Sequence, residues 1–192
     1  MIQPEILTGR LGNKMFQIAY LYARFKDGTI PDWYLQSPEY FKGYEDEIKQ
    51  LFGQGIGFLE QIGIHVRRGT NPYIPSEPKY NENSFYFNLC NTDYYERAME
   101  MFPNEKFVIF SDDPEWCKEK FKGENIQVMD KGDEVEDLNL FASCKSQIIA
   151  NSSWSWWGAF LNPNESKKVI APKRWFADGI KRVGLPNSWI QI

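Results

Sequence analysis

Two adjacent arginines in an acidic chain ask for an anion. They lie in the run Ile62-Gly63-Ile64-His65-Val66-Arg67-Arg68-Gly69, while the whole protein carries 22 Lys+Arg against 26 Asp+Glu, a net charge of −4. Arg presents a planar fork of donors that matches phosphate or carboxylate. Arg67 and Arg68 are therefore candidates for holding a phosphoryl group, with His65 beside them. The other reading is that Arg67 pairs with a core carboxylate and Arg68 is solvated. A second run, Ile148-Ile149-Ala150-Asn151-Ser152-Ser153-Trp154-Ser155-Trp156-Trp157-Gly158, ends a strand in hydroxyls that open a helix. Ser152 and Ser153 serve either as caps or as donors to an anion at the helix's positive end. Its three tryptophans suit sugar stacking, but their helical spacing favours the core. Phe110-Ser111-Asp112-Asp113-Pro114 brings paired carboxylates that suit a metal, a ribose or a base edge, or in which Asp113 caps the next helix and Asp112 is solvated. Two carboxylates with no neighbouring histidine are too few for a metal. Gly9-Arg10-Leu11-Gly12-Asn13 gives Gly9 and Gly12 for a tight turn or a close backbone approach to a ligand, with Asn13 at a helix start. A plain turn with an Asn cap explains it equally well.

These residues need a frame that gathers them. Apolar runs at 5–8, 61–67, 106–110, 126–129, 147–150 and 168–171 read as strands. Most are continuously apolar, as in a parallel sheet covered on both faces. Helical patterns fall at 13–25, 93–102, 114–121, 134–145 and 153–161, with a short helix near 45–52. Strand–helix alternation predicts an α/β, doubly wound domain over 61–192. Residues 1–60 read as a reduced N-terminal lobe, and 70–89 as a long loop of the kind that is usually functional. Period-2 geometry puts Ile62, Ile64 and Val66 on one face of their strand and His65 and Arg67 on the other. Arginines, aspartates and serines then meet at the carboxyl edge of the sheet, the layout of a nucleotide-sugar site: cations and amides for the diphosphate, carboxylates for the nucleoside.

Composition excludes other classes. The chain has 192 residues, 42% hydrophobic, 25% charged and 16% aromatic, which is globular. Its acidity argues against nucleic acid as a partner. Three cysteines, Cys90, Cys117 and Cys144, at equal gaps argue against a disulfide framework or a zinc site and for a reducing compartment. The first residues show no signal peptide and no apolar run is long enough to span a membrane, so a cytoplasmic protein is expected. With a single histidine, a Ser-His-Asp triad could be built only on His65.

Taken together, the motifs resemble the α-1,2-fucosyltransferases of glycosyltransferase family 11. That family opens on Gly-Arg-Leu-Gly-Asn-Gln-Met-Phe-Gln, here Gly9 to Gln17 with Lys14 in place of Gln. Its His-x-Arg-Arg-Gly-Asp is here His65 to Thr70, with Thr70 in place of Asp. Its Asn-Ser-Ser-Phe-Ser-Trp-Trp-Gly-Ala is here Asn151 to Ala159, and the tail from Val169 through Phe176, Pro186 and Trp189 is similar too. The resemblance implies a GT-B-like fold and an inverting, metal-independent transferase with no cofactor. Such an enzyme moves L-fucose from GDP-fucose to a glycan acceptor, at the 2-hydroxyl of a galactoside.

The resemblance also assigns roles. It places Arg67 at the β-phosphate, His65 near the nucleotide, Ser152 and Ser153 at the diphosphate, and Asp137, sixteen residues before Ser153, at the guanosine. Arg67, with Arg68 nearby and the helix start at Ser153, would stabilise the leaving phosphate, one such donor being worth roughly 3–4 kcal/mol in the transition state. Family members are longer, mainly before His65, which implies an acceptor side that is open, completed by a second subunit or specialised for a small sugar. Thr70 and this shortening leave open a non-catalytic homologue that only binds a nucleotide sugar or glycan. Transfer of a different sugar is a further alternative.

Overall fold

The computed structural model describes residues 9–27, 36–53, 56–69 and 85–192. The strand expected at 5–8, Thr70 and most of the loop expected at 70–89 lie outside the described residues. Six helices are α1 (Leu11–Asp27), α2 (Glu45–Phe52), α3 (Tyr94–Glu100), α4 (Pro114–Lys120), α5 (Glu134–Ser143) and α6 (Ser153–Leu161). Six strands are β1 (Leu59–Val66), β2 (Phe107–Ser111), β3 (Ile126–Val128), β4 (Cys144–Ile148), β5 (Val169–Ala171) and β6 (Ile190–Gln191). Short 3-10 turns cover Pro38–Phe41 and Leu89–Asn91. Among the described residues, no helix is long and apolar enough to cross a membrane.

The strands form one sheet in the order β3-β2-β1-β4-β5-β6, every pair parallel. The expected α/β, Rossmann-like architecture is therefore what the chain adopts. Each strand alternates between two apolar layers. Ile62, Ile64, Val66, Phe107 and Ile109 face α3 and α4, while Val108 and Phe110 face α5 and α6. A sheet covered on both sides needs apolar residues at both parities, which is why these runs read as continuous. Order reverses between β1 and β4, where one strand proceeds outward to β2 and the other to β5. In open α/β sheets, ligands bind at the carboxyl ends flanking that reversal.

The described part of the N-terminal segment packs against α6. Met15, Phe16, Ala19 and Ala23 of α1, with Phe41 and Ile48, share a buried cluster with Trp156, Trp157 and Phe160. Rings of Phe16 and Trp156 lie 4.6 Å apart, and those of Phe16 and Trp157 4.8 Å apart. Such tilted contacts add to the burial of large apolar area. Trp156 and Trp157 are thus core residues, as their spacing predicted.

Several expected boundaries are corrected. The helix expected over 134–145 ends at Ser143, and the chain enters β4 at Cys144 with no loop between. The strand expected at 147–150 therefore runs from 144 to 148. Its first residues are too polar to read as a strand. They are paired instead: Lys168 N–H donates to Ser146 Oγ (2.9 Å), and Gln147 Nε2 donates to the carbonyls of Phe141 and Cys144 (both 3.2 Å). The strand expected over 61–67 begins at Leu59 and ends at Val66, so Arg67 stands just beyond it. β6, with two residues, is too short to read from periodicity.

The α5–α6 contact yields a stability prediction. A Cβ at Gly158 would lie 2.4 Å from Phe141 Cδ1 and 3.4 Å from Leu138 Cδ1. Gly158→Ala gains about 1 kcal/mol of helix propensity but overpacks a fixed ring, at about 1–3 kcal/mol. Overpacking wins, and urea unfolding should show a net loss of stability.

Candidate functional site

The carboxyl ends of β1, β2 and β4 lie side by side: Val66 pairs with Ser111, and Ile64 with Ile148. Each strand then releases one polar group of the candidate set. Arg67 and Arg68 follow β1, Asp112 and Asp113 follow β2, and Ser152 and Ser153 follow β4.

Arg67 and Asp112 form a close pair. Nη1 lies 2.8 Å from Oδ2, with the side chains 15% and 9% exposed. The other Asp112 oxygen accepts the Arg68 backbone N–H at 2.7 Å. One carboxylate thus fixes both the direction of the Arg67 fork and the backbone after it. Asp112 is not solvated, because the neighbouring strand end presents a cation to it. Arg68 is not solvated either. Its guanidinium lies over the Trp116 ring at 4.1 Å and 3.6 Å from Asp113. Asp113 caps α4 by accepting Trp116 N–H at 3.4 Å. Trp116, which the sequence did not single out, therefore shapes the site by holding Arg68. No spacing rule would have found it.

His65 points to the opposite face from Ile64 and Val66, as the strand period requires. Its ring lies 4.6 Å from Trp154 and 6.3 Å from Phe141. Burial, reinforced by the positive charge of Arg67, lowers its pKa to about 3. A ring so placed is neutral at neutral pH, so it serves as a hydrogen-bonding group and not as a proton carrier there. Nδ1 is buried without a hydrogen-bond partner. The Tyr95 hydroxyl donates to the His65 carbonyl at 3.2 Å, fixing the backbone.

The Gly9–Asn13 motif meets the serine motif. Gly9 adopts φ +84°, a conformation glycine tolerates, and α1 starts two residues later. A Cβ at Gly12 would lie 2.6 Å from the Ser153 carbonyl carbon and 2.6 Å from Trp154 N. The absence of a side chain lets the first turns of α1 and α6 touch. Trp157 Nε1 donates to the Gly12 carbonyl at 3.0 Å. Asn13 Oδ1 accepts from Ser153 Oγ at 3.0 Å and from Gln36 Nε2. Two helix N-termini, neither with an acidic first turn, thus face one region. First-turn amides lack intrahelical partners and carry partial positive charge. Ser152 takes an extended N-cap conformation, and its hydroxyl makes no capping bond. Ser153, by contrast, spends its hydroxyl on Asn13.

Asp137 stands apart. It lies on α5, where Oδ2 accepts Gly132 N–H at 3.2 Å. Partial burial, with Asp133 and Glu136 nearby, raises its pKa. The start of α5 does reach α6, since Trp154 Nε1 donates to the Glu134 carbonyl at 3.2 Å. No described contact joins Asp137 to Ser152 or Ser153. Asn151, quoted within its motif but not singled out, is 2% exposed, and its Nδ2 donates to the carbonyls of Phe87 (2.7 Å) and Trp175 (2.8 Å). It ties the segments after β1 and β5 to the end of β4.

His65 makes stability depend on pH. Its folded pKa lies below the unfolded value near 6.5, so between pH 3 and 6.5 the unfolded chain binds the extra proton. Stability therefore falls as pH drops through that window, by up to about 1.4 kcal/mol per unit. Denaturant unfolding from pH 7 to 4 should show this slope, and His65→Gln should flatten it. NMR of the His65 ring should show no titration between pH 5 and 8.

Comparison with known proteins agrees with this architecture. The profile described as glycosyl transferase family 11 matches residues 41–190. The O-antigen biosynthesis glycosyltransferase WbnK of Escherichia coli is 34% identical over 140 residues, covering 67% of this chain and 43% of that protein. An alpha-1,2-colitosyltransferase of Escherichia coli is 30% identical over 185 residues, covering 82% of this chain and 60% of that protein. Galactoside alpha-(1,2)-fucosyltransferase 1 of Saimiri sciureus is 30% identical over 109 residues, covering 52% of this chain and 28% of that protein. The chain thus spans about half the length of the two bacterial relatives. No solved structure matches it significantly. With the profile covering most of a doubly wound α/β chain, the protein belongs to glycosyl transferase family 11.

Proposed function

We propose that the chain binds GDP-fucose at the β1/β4 reversal and transfers L-fucose, with inversion, to a hydroxyl of a glycan acceptor, such as the 2-hydroxyl of a galactoside. One observation carries this reading: Arg67, Arg68 and the paired first turns of α1 and α6 converge at the carboxyl edge of one parallel sheet. A galactoside alpha-(1,2)-fucosyltransferase among the relatives supports the choice of sugar and linkage.

In this reading the diphosphate lies between Arg67 and the first turn of α6. Ser152 Oγ and the amides there donate to its oxygens. His65, neutral, offers Nδ1 as a hydrogen-bonding group at the nucleotide. As the bond between fucose C1 and the phosphate oxygen breaks, its electron pair stays with the β-phosphate. Charge grows where Arg67 is already aimed by Asp112, so little reorganisation is needed. The acceptor oxygen attacks C1 from the opposite face, and its proton leaves to a nearby base or to solvent. Cationic side chains and helix N-termini supply the stabilisation in place of a metal ion.

A second reading differs only in the sugar. The match to an alpha-1,2-colitosyltransferase covers 82% of this chain, so a colitosyl donor fits the same phosphate frame. A non-transferring homologue would keep nucleotide affinity without turnover. Calorimetry with GDP and GDP-fucose, with chelator present, should give micromolar binding that Arg67→Ala weakens about tenfold or more, that is 1.4 kcal/mol. Turnover with galactoside acceptors then separates the readings. Faster transfer from GDP-fucose than from the colitosyl donor supports the first, and binding without transfer supports the homologue. No binding to either nucleotide refutes all three.

A further inference from the structure

Asn13 stands in the first turn of α1, and one end of its side chain is held from two directions. Its Oδ1 accepts from Ser153 Oγ at 3.0 Å and from Gln36 Nε2. The carbonyl and NH2 ends of an amide have nearly the same shape, so its partners decide which end faces a ligand. Two donors on Oδ1 fix that end inward, and Nδ2 points away from them. It lies over Gly9, where a Cβ would come within 2.7 Å of Nδ2. The glycine at the start of the motif thus leaves room for the amide at the N-terminal end of α1. Among the described residues Nδ2 has no hydrogen-bond partner, and Asn13 is only half-buried.

Gln36 comes from outside both helices and is itself fixed. It is 5% exposed, and its carbonyl accepts Gly184 N–H at 2.9 Å. Trp156 of α6 donates Nε1 to the Gly184 carbonyl, also at 2.9 Å. Ser37, the next residue, packs where Gly184 has no side chain, since a Cβ there would stand 2.2 Å from Ser37 Oγ. A buried amide costs stability unless it is hydrogen-bonded, and Gln36 Nε2 spends its bond on Asn13. We propose that Gln36 is a positioning residue: by holding Asn13 Oδ1 inward, it presents Asn13 Nδ2 at the junction of α1 and α6 as a donor to an oxygen of the donor substrate's diphosphate. Both helix starts already direct partial positive charge to that junction, and an aimed N–H adds a directional bond to an anionic oxygen there. The inference rests on the transferase reading given above.

The test is NMR of the side-chain amides with isotope-labelled asparagine, the Asn13 pair being assigned through Asn13→Asp. GDP and inorganic pyrophosphate should shift the Asn13 Nδ2 signals, and guanosine should not. Asn13→Asp keeps an oxygen for Gln36 and Ser153 but removes the donor, so GDP should weaken about tenfold or more, that is 1.4 kcal/mol, with guanosine unchanged. Gln36→Met keeps the length of the side chain without its donor. Its GDP affinity should fall several-fold, with the Asn13 signals displaced before GDP is added and responding less to it. GDP binding to the wild type with the Asn13 signals unmoved overturns the proposal, even if both variants fail to fold. So does a Gln36→Met protein that matches the wild type in affinity and in the Asn13 signals. No GDP binding by the wild type refutes the donor reading itself, and this proposal with it, which keeps the two failures distinct.

Discussion

No side chain fits at position 12. That constraint brings the first turn of α1 against the first turn of α6, with Ser153 and Trp154 backbone atoms where a Cβ would be. The hydrogen bonds at the junction reinforce it. Trp157 reaches back to the Gly12 carbonyl, and Ser153 to Asn13. Helix ends of like polarity repel and need a reason to meet. Here the reason is the aromatic cluster beneath them, Phe16 between Trp156 and Trp157. Core packing thus assembles an electropositive junction that local preference would not favour.

The charges around it follow the same logic. Arg67 and Asp112 are mostly buried together, and such a pair gives little net stability once desolvation is counted. Its value is directional, since Asp112 orients Arg67 and also takes the Arg68 N–H. The Trp116 ring lies beneath the second guanidinium. Burial keeps His65 neutral beside these cations, so the strand end does not gather a third positive charge. In the transferase reading proposed above, cations must be in place before charge develops, and Asp112 and Trp116 hold Arg67 and Arg68 in advance.

Much of this was legible in the sequence. The apolar runs gave a parallel sheet, and period-2 spacing correctly separated His65 from Ile64 and Val66. The motif residues landed at neighbouring strand ends because parallel strands point their carboxyl ends the same way. Other features depend on partners far apart in sequence. That Asp112 meets Arg67 follows from β1 pairing with β2, 44 residues on from Arg68 in the case of its backbone bond. Ser153's commitment to Asn13 spans 140 positions. The start of β4 was hidden because Lys145, Ser146 and Gln147 look like surface residues, yet Ser146 Oγ and Gln147 Nε2 are hydrogen-bonded inside the fold and Lys145 pairs with Glu105 at its border. Trp116 carried no signal at all, since an aromatic in an α/β chain reads first as core.

We propose that the diphosphate of a guanosine nucleotide lies where β1 and β4 part. A crystal structure with bound GDP tests it most directly. The account predicts β-phosphate oxygens within hydrogen-bond distance of the Arg67 guanidinium and of the first-turn amides of α6, with Ser152 Oγ alongside. Density for GDP anywhere else on the molecule, with Arg67 still closed on Asp112 and no contact to α6, would contradict it.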